Sequence, residues 1–200
     1  MSRLTPLSRD QLEGFEEFFQ VVEETMGFLP NSLLLMAHRP DIMQAAMQLF
    51  GAVNAPGRLE PELKAMATYL SSVAAGCRYC QAHTGHTAER MGVDAVKLAA
   101  IWEFEDSPLF SAREKAVLRV ALGAGQVPNG VTDADFAALH EHLEDEEIDE
   151  LVASVSVFGF LNRWNDTLAT PLEADPLSFA TERLAGSGWE AGKHAPSKAE

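Results

Sequence analysis

Two cysteines and two histidines lie within residues 74–92, and these side chains are the ones in the sequence best suited to chemistry. Cys77 and Cys80 are the only two cysteines of the chain. On a helix, the Cys-x-x-Cys spacing places both thiols on one face, at a separation that suits a disulfide. His83 follows one turn later, where an imidazole can accept a thiol proton or stabilise a thiolate.

The position of this motif at a helix start would activate its thiols. Gly76 precedes the pair and predicts a bend, so that the motif opens a new helix. Free backbone N–H groups and the helix dipole favour a thiolate there and lower the pKa of a cysteine. A redox-active pair is therefore our first interpretation of the spacing.

Two other interpretations of the same residues stay open. The cysteines can pack in the core without chemistry. Alternatively, a structural zinc ion can be held by two or three local side chains and one distant histidine. One helix cannot supply all four local ligands, because steps of three residues drift around its axis. The zinc candidates are Cys77, Cys80, His83, His86, His140 and His142.

The run Gly76-Cys77-Arg-Tyr-Cys80-Gln-Ala-His83, followed by Ala88 and Gly92, resembles a known family signature. It is similar to the AhpD-like alkylhydroperoxidase and carboxymuconolactone decarboxylase superfamily, in particular its peroxidase-related branch. The resemblance covers about residues 30–170 and includes the late run 162–166. It implies an all-α, AhpD-like helical bundle that forms a homo-oligomer (dimer, trimer or hexamer) and needs no cofactor and no metal.

The resemblance also implies roles for the site residues. Cys80 would attack a small-molecule hydroperoxide, Cys77 would resolve the sulfenic acid as a disulfide, and a thiol reductant of unknown identity would restore the pair. His83 would act as base or thiolate stabiliser. Glu62, His86 and Tyr79 are the further candidates for a proton relay or for the pocket.

Two positions depart from the family pattern. Thr84 stands where the family has its relay histidine, and His83 lies one residue earlier. Ala65 stands where the family has its relay glutamate, and Glu62 and Glu60 are the nearest acids that can replace it.

Three functions are consistent with these residues. The first is a cysteine-based peroxidase or thiol–disulfide oxidoreductase, which the cysteine pair favours. The second is a decarboxylase-like lyase acting on a lactone acid, which needs a proton-transfer residue and no thiol. The third is a non-catalytic oligomer in which the pair senses redox state or is structural.

Composition narrows the class of protein further. The chain has 200 residues and a formal net charge of −15, which argues against nucleic acid as a partner. No apolar run approaches the length of a membrane span, and the N-terminus lacks a secretory apolar segment. We therefore expect a cytoplasmic protein with one domain over residues 1–185 and a flexible tail over residues 186–200.

Helical spacing and capping signals predict the elements that position the motif. The longest predicted helix, residues 144–168, is apolar around most of its circumference and indicates a central position or a subunit contact. Residues 60–91 and 111–142 share a helix–bend–helix pattern that suggests a weak internal duplication. From Pro171 onward, Pro, Gly, Ser and charged residues dominate, and we expect residues 188–200 to be loose. The other predicted helices cover residues 8–26, 32–38, 40–53, 60–75, 77–91, 94–101, 111–123 and 132–143.

Overall fold

The computed structural model describes residues 2–196, and within this range all regular structure is helical. The prediction of an all-α, AhpD-like bundle is thereby confirmed. The helices are α1 (Glu16–Met26), α2 (Asn31–Met36), α3 (Pro40–Asn54), α4 (Pro61–Ala74), α5 (Arg78–Arg90), α6 (Ala95–Ala99), α7 (Ala112–Gly125), α8 (Asp133–His140), α9 (Asp145–Leu168) and α10 (Ala174–Arg183). Single 3₁₀ turns span Arg9–Gln11, Ile101–Glu103, Ala185–Ser187 and Gly192–His194.

Helix α4 forms the centre of the bundle. It is buried along almost its whole length and packs against α5, α7 and α9. Small side chains such as Ala67 and Ser71 allow neighbouring helices to approach closely. Pro61 occupies the first turn of α4, where its missing N–H costs nothing. The core therefore surrounds the helix that leads directly into the cysteine motif.

The start of the chain departs from the predicted helix over residues 8–26. The expected capping box of Ser8 and Gln11 is present, but it closes only a 3₁₀ turn. Gly14 has a φ of +86°, which ends regular structure before α1 begins at Glu16. The predicted capping boxes at Ser111 and Thr132 do open helices, α7 and α8.

The end of the chain contains a helix that we did not predict. Helix α10 begins after Glu173 and packs against α5, with Phe179 and Ala180 buried. Beyond it, Trp189 and His194 are also buried, so residues up to 196 pack against the bundle. Flexibility of residues 186–200 remains a prediction, of which residues 197–200, like Met1, lie outside the described part of the chain.

Within residues 2–196, no helix combines the length and the apolar composition that crossing a bilayer needs.

Candidate active site

The cysteine pair lies at the junction of α4 and α5. Gly76 has a φ of +75° and turns the chain between the two helices. Cys77 is the N-cap residue of α5, and its sulfur accepts a hydrogen bond from the Cys80 backbone N–H at 3.4 Å. Both cysteines are free thiols and buried, with exposed fractions of 0% and 2%. The structure therefore brings the two thiols together at a helix start, as the spacing predicts.

The two thiols differ in acidity. A hydrogen bond from the Cys80 thiol, aided by backbone N–H groups, lowers the pKa of Cys77 below its ordinary value. Burial, followed by the adjacent Cys77, raises the pKa of Cys80 well above its ordinary value. Cys77 is therefore the first of the two thiols to lose its proton, and its thiolate then accepts the hydrogen bond of the Cys80 thiol.

One of the two thiols reaches a large cavity between α3, α4, α5 and α9. The cavity has a volume of about 840 Å³, and Cys80 contributes to its lining whereas Cys77 does not. Most of the wall is apolar, including Met36, Met47, Phe50, Phe158 and Leu161. Such a space suits a small apolar molecule held beside one sulfur.

A buried carboxylate holds His83 at the edge of this cavity. Glu173 Oε2 lies 2.6 Å from His83 Nε2, and Glu173 Oε1 accepts a hydrogen bond of 2.8 Å from the Tyr79 hydroxyl. The rings of Tyr79 and His83 stack with centroids 4.2 Å apart. Burial raises the pKa of Glu173, but His83 and the Asn31 backbone N–H outweigh this effect and hold the pKa below its ordinary value. Glu173 therefore stays ionised beside the imidazole.

Two of the predicted site residues lie elsewhere. Glu62 is exposed on the first turn of α4 and does not line the cavity. His86 is half-buried between Phe28 and Phe179, and it too is absent from the cavity wall. Glu60, the other acid near Ala65 in sequence, does not line the cavity either and pairs with Arg113. The carboxylate that reaches the imidazole is Glu173, the N-cap residue of α10, a helix absent from the sequence prediction.

Polar side chains from two helices contact Cys80 directly. Asn165 Nδ2 lies 3.6 Å from Cys80 Sγ, and the Thr170 hydroxyl donates to Asn165 Oδ1 at 2.8 Å, which fixes the amide orientation. The Thr84 hydroxyl donates to the Cys80 carbonyl at 2.6 Å. Thr84, in the slot of the family's relay histidine, therefore supports the backbone of the motif rather than its sulfur.

Among residues 2–196, one group of metal-ligating side chains converges, and it differs from the predicted zinc set. Cys77 Sγ, an Asp166 oxygen and a His194 ring nitrogen lie within 4.8 Å of one another. Asp166 is already paired with Lys193 Nζ at 2.8 Å. His140, a predicted distant ligand, is half exposed and lies near Asp145 instead.

The fold and the sequence both match known proteins. The crystal structure of the debrominase Bmp8 is 35% identical, has a TM-score of 0.82, and covers 90% of this chain and 96% of that one. A cysteine-to-alanine variant of Bmp8 in complex with 2,3,4-tribromopyrrole is 34% identical, with a TM-score of 0.84 and coverage of 91% and 97%.

A second structural neighbour comes from Ralstonia eutropha JMP134. This uncharacterised peroxidase-related protein, described as an alkylhydroperoxidase AhpD core, is 25% identical, with a TM-score of 0.78 and coverage of 90% and 95%. The uncharacterised protein YnjA of Escherichia coli (strain K12) is 28% identical over 116 residues, or 58% of this chain. The matched part spans 63% of YnjA, which is less than two thirds of that relative.

A family model agrees with these neighbours. The model described as the carboxymuconolactone decarboxylase family matches residues 40–122, which run from the start of α3 through the cysteine motif into α7. The AhpD-core neighbour shares the helical fold. The chain belongs to the AhpD-like carboxymuconolactone decarboxylase family.

Proposed function

We propose that this protein is a dithiol enzyme that reduces small apolar molecules by two electrons, with organic hydroperoxides as its first substrate class. The observation that carries the proposal is the apolar cavity of about 840 Å³, which includes Cys80 in its wall while Cys77 lies directly behind it. An apolar wall favours an organic hydroperoxide over hydrogen peroxide, because the organic group is removed from water on binding.

The first step joins Cys80 to the substrate. The Cys80 thiolate attacks the distal oxygen of the hydroperoxide, an S–O bond forms, and the O–O bond breaks. The products are a sulfenic acid on Cys80 and an alcohol, whose oxygen takes up one proton. His83, which lies 2.6 Å from Glu173 Oε2 at the cavity edge, is our candidate donor of that proton.

The second step closes the disulfide. Cys77 sulfur attacks the sulfur of the Cys80 sulfenic acid, the S–O bond breaks, and water leaves after taking up a proton. Two thiols are oxidised and one hydroperoxide is reduced, so the electrons balance. An external thiol reductant then returns the disulfide to two thiols.

The different pKa values of the two thiols agree with these roles, because they allow a proton to pass from Cys80 to Cys77. Cys80 faces the substrate but holds its proton strongly, whereas Cys77 is the better thiolate and accepts the hydrogen bond of Cys80. Cys77 can therefore take the proton of Cys80 as the substrate arrives. A desolvated Cys80 thiolate with a raised pKa is also the stronger nucleophile of the two.

A second substrate class, organic bromides, has a specific observation in its favour. The debrominase Bmp8 is 35% identical over 90% of this chain, and a structure of its variant holds 2,3,4-tribromopyrrole. The same dithiol can supply the two electrons that replace a C–Br bond by C–H. The Cys80 sulfur takes the bromine as the carbon takes up a proton, and Cys77 then displaces bromide and loses its own proton as the disulfide forms.

Single-turnover thiol titration tests both substrate classes. The reduced protein is mixed anaerobically with one equivalent of cumene hydroperoxide, hydrogen peroxide or 2,3,4-tribromopyrrole. Free thiols are then counted, together with released alcohol or bromide. We expect loss of two thiols per molecule of organic hydroperoxide reduced, and a slower reaction with hydrogen peroxide. Release of bromide without reaction of the hydroperoxides would assign the second class instead.

Two cysteine variants separate the roles of the sulfurs. Cys80→Ser should abolish reduction, whereas Cys77→Ser should still react once and retain a sulfenic acid that dimedone traps. Exposed His140→Asn serves as a control for general effects of substitution. Substrate consumption that persists in the Cys77→Ser/Cys80→Ser double variant would contradict the proposal and favour a lyase that needs no thiol.

A further inference from the structure

The C-terminal segment brings a second histidine to the cysteine pair, opposite the cavity side. His194 is fully buried, with an exposed fraction of 0%. Its backbone carbonyl accepts from the Leu172 N–H at 2.9 Å, and upstream the Trp189 indole N–H donates to the Arg78 carbonyl at 3.3 Å. These contacts hold the segment against the first turn of α5, where Cys77 lies.

The hydrogen bonds of His194 define which ring nitrogen is free. Nδ1 lies 2.8 Å from the Thr170 carbonyl oxygen, which can only accept, so Nδ1 carries a proton. Within residues 2–196, Nε2 has no hydrogen-bond partner, and Asp166 Oδ1 lies 3.5 Å from it. Burial lowers the pKa of His194 below its ordinary value despite the nearby carboxylate. The neutral ring therefore presents an unprotonated Nε2 in a buried place.

His194 belongs to a cluster with Cys77, and Nε2 is the ring nitrogen on the side of Asp166. Cys77 Sγ, Asp166 and His194 offer atoms within 4.8 Å of one another. We propose that His194, backed by Asp166, accepts the proton of Cys77 when Cys77 attacks the Cys80 sulfur. The inference deepens the proposed function and rests on it, because it assigns a residue to the disulfide-closing step.

The proton balance explains why such an acceptor is needed. In the first step Cys77 takes the proton of Cys80, so it enters the second step as a thiol. As the S–S bond forms, the S–H bond of Cys77 breaks and its proton passes to Nε2. The Asp166 carboxylate stabilises the resulting imidazolium by its charge, and the hydroxide displaced from Cys80 takes up a proton from solvent and leaves as water. A histidine that only bound the Thr170 carbonyl would leave Nε2 buried without a hydrogen-bond partner, which is unusual in folded proteins.

His194→Asn is the matched test, because its amide N–H can still bind the Thr170 carbonyl while Nε2 is lost. Stopped-flow mixing follows hydroperoxide loss, which reports the first step, and acid-quench mass spectrometry follows the disulfide. We expect the first step to keep its rate and closure to slow by about a hundred- to ten-thousand-fold. Dimedone should then trap a Cys80 sulfenic acid that the wild type does not accumulate.

The pH dependence of the disulfide-closure rate distinguishes proton acceptance by His194 from a purely structural role, which would not affect this dependence. The groups that face His194 are Cys77 from α5, Tyr79, Asp166 from α9 and the adjacent Lys193. In the wild type, closure should fall as acid protonates Nε2, and His194→Asn should lack this acidic limb. Asp166→Asn should shift the limb to lower pH, because it removes the charge that stabilises the imidazolium.

Two outcomes would overturn the inference. Closure at the wild-type rate and with the wild-type pH profile in His194→Asn overturns the inference. Diamide oxidises dithiols through the same attack of one cysteine sulfur on the other. It therefore tests the role of His194 even if no proposed substrate reacts. Failure of this inference can thus be distinguished from failure of the proposed function. Stoichiometric zinc in the purified wild type, lost in His194→Asn, also overturns it. If His194→Asn does not fold, His194→Gln and Asp166→Asn carry the same comparison, and His140→Asn is the control.

Discussion

At the scale of single residues, the site depends on where buried charge is placed. Glu173 is nine-tenths buried, yet it is ionised because donors surround both oxygens: Tyr79, His83 and the Asn31 backbone N–H. Such a carboxylate fixes the imidazole and its proton. The same buried charge makes the site sensitive to pH.

Glu173→Gln should therefore destabilise the protein in a pH-dependent way. The folded-state pKa of Glu173 lies below its ordinary value, so its ionic stabilisation is complete above the ordinary carboxyl pKa and is lost as the pH falls through the folded value. At pH 7 we expect a loss of about 1–3 kcal/mol in the free energy of unfolding. Urea unfolding at pH 7 and at acidic pH measures the difference, which should shrink in acid. Exposed Glu62→Gln is the control, and an equal loss at both pH values would contradict this linkage.

At the scale of elements, local patterns predicted the frame but not the whole site. Helical periodicity and capping signals predicted α3–α9, and the Cys-x-x-Cys spacing predicted the thiol pair at the start of α5. Helix α10 was missed because the run after Pro171 looked like a loop, although Pro176 in its first turn and buried Phe179 are helix signals. Glu173 reaches His83, and His194 reaches Cys77, only through contacts distant in sequence, which no local pattern in one chain reveals.

The α5–α10 contact makes the position of Glu173 depend on one glycine. A Cβ at Gly85 would lie 2.7 Å from Phe179 Cε1, a buried ring of α10. Gly85→Ala should push α10 outward, cost about 1–3 kcal/mol in stability and slow the reduction step by displacing Glu173 from His83. Thermal unfolding and single-turnover kinetics test both effects.

Gly51→Ala is the matched control for this substitution. Gly51 lies on the exposed side of α3, and a Cβ there meets no atom within 4 Å. Alanine should stabilise that helix by about 0.5–1 kcal/mol. A Gly85→Ala variant as stable and active as Gly51→Ala would show that α10 tolerates the displacement.

At the scale of the whole molecule, the cavity and the surface charge have opposite effects on self-association. Leu49 on α3 and Phe160 on α9 line the cavity rim and are 55% and 41% exposed. Burying them against a second copy would close the cavity to water, and the family resemblance implies oligomers. The net charge of −15 opposes this contact through repulsion between subunits.

We therefore predict a homo-oligomer whose association strengthens with ionic strength. Salt screens the repulsion between subunits, since the Debye length is only about 8 Å at physiological ionic strength, whereas apolar burial persists. Sedimentation equilibrium at low and physiological salt should show tighter association in the latter. Leu49→Glu combined with Phe160→Glu should give monomers, whereas Val96→Glu, at a 61% exposed valine on α6, should not. A wild type that stays monomeric at every salt concentration would contradict the prediction, because Leu49 and Phe160 would then face solvent and the cavity rim would stay open to water.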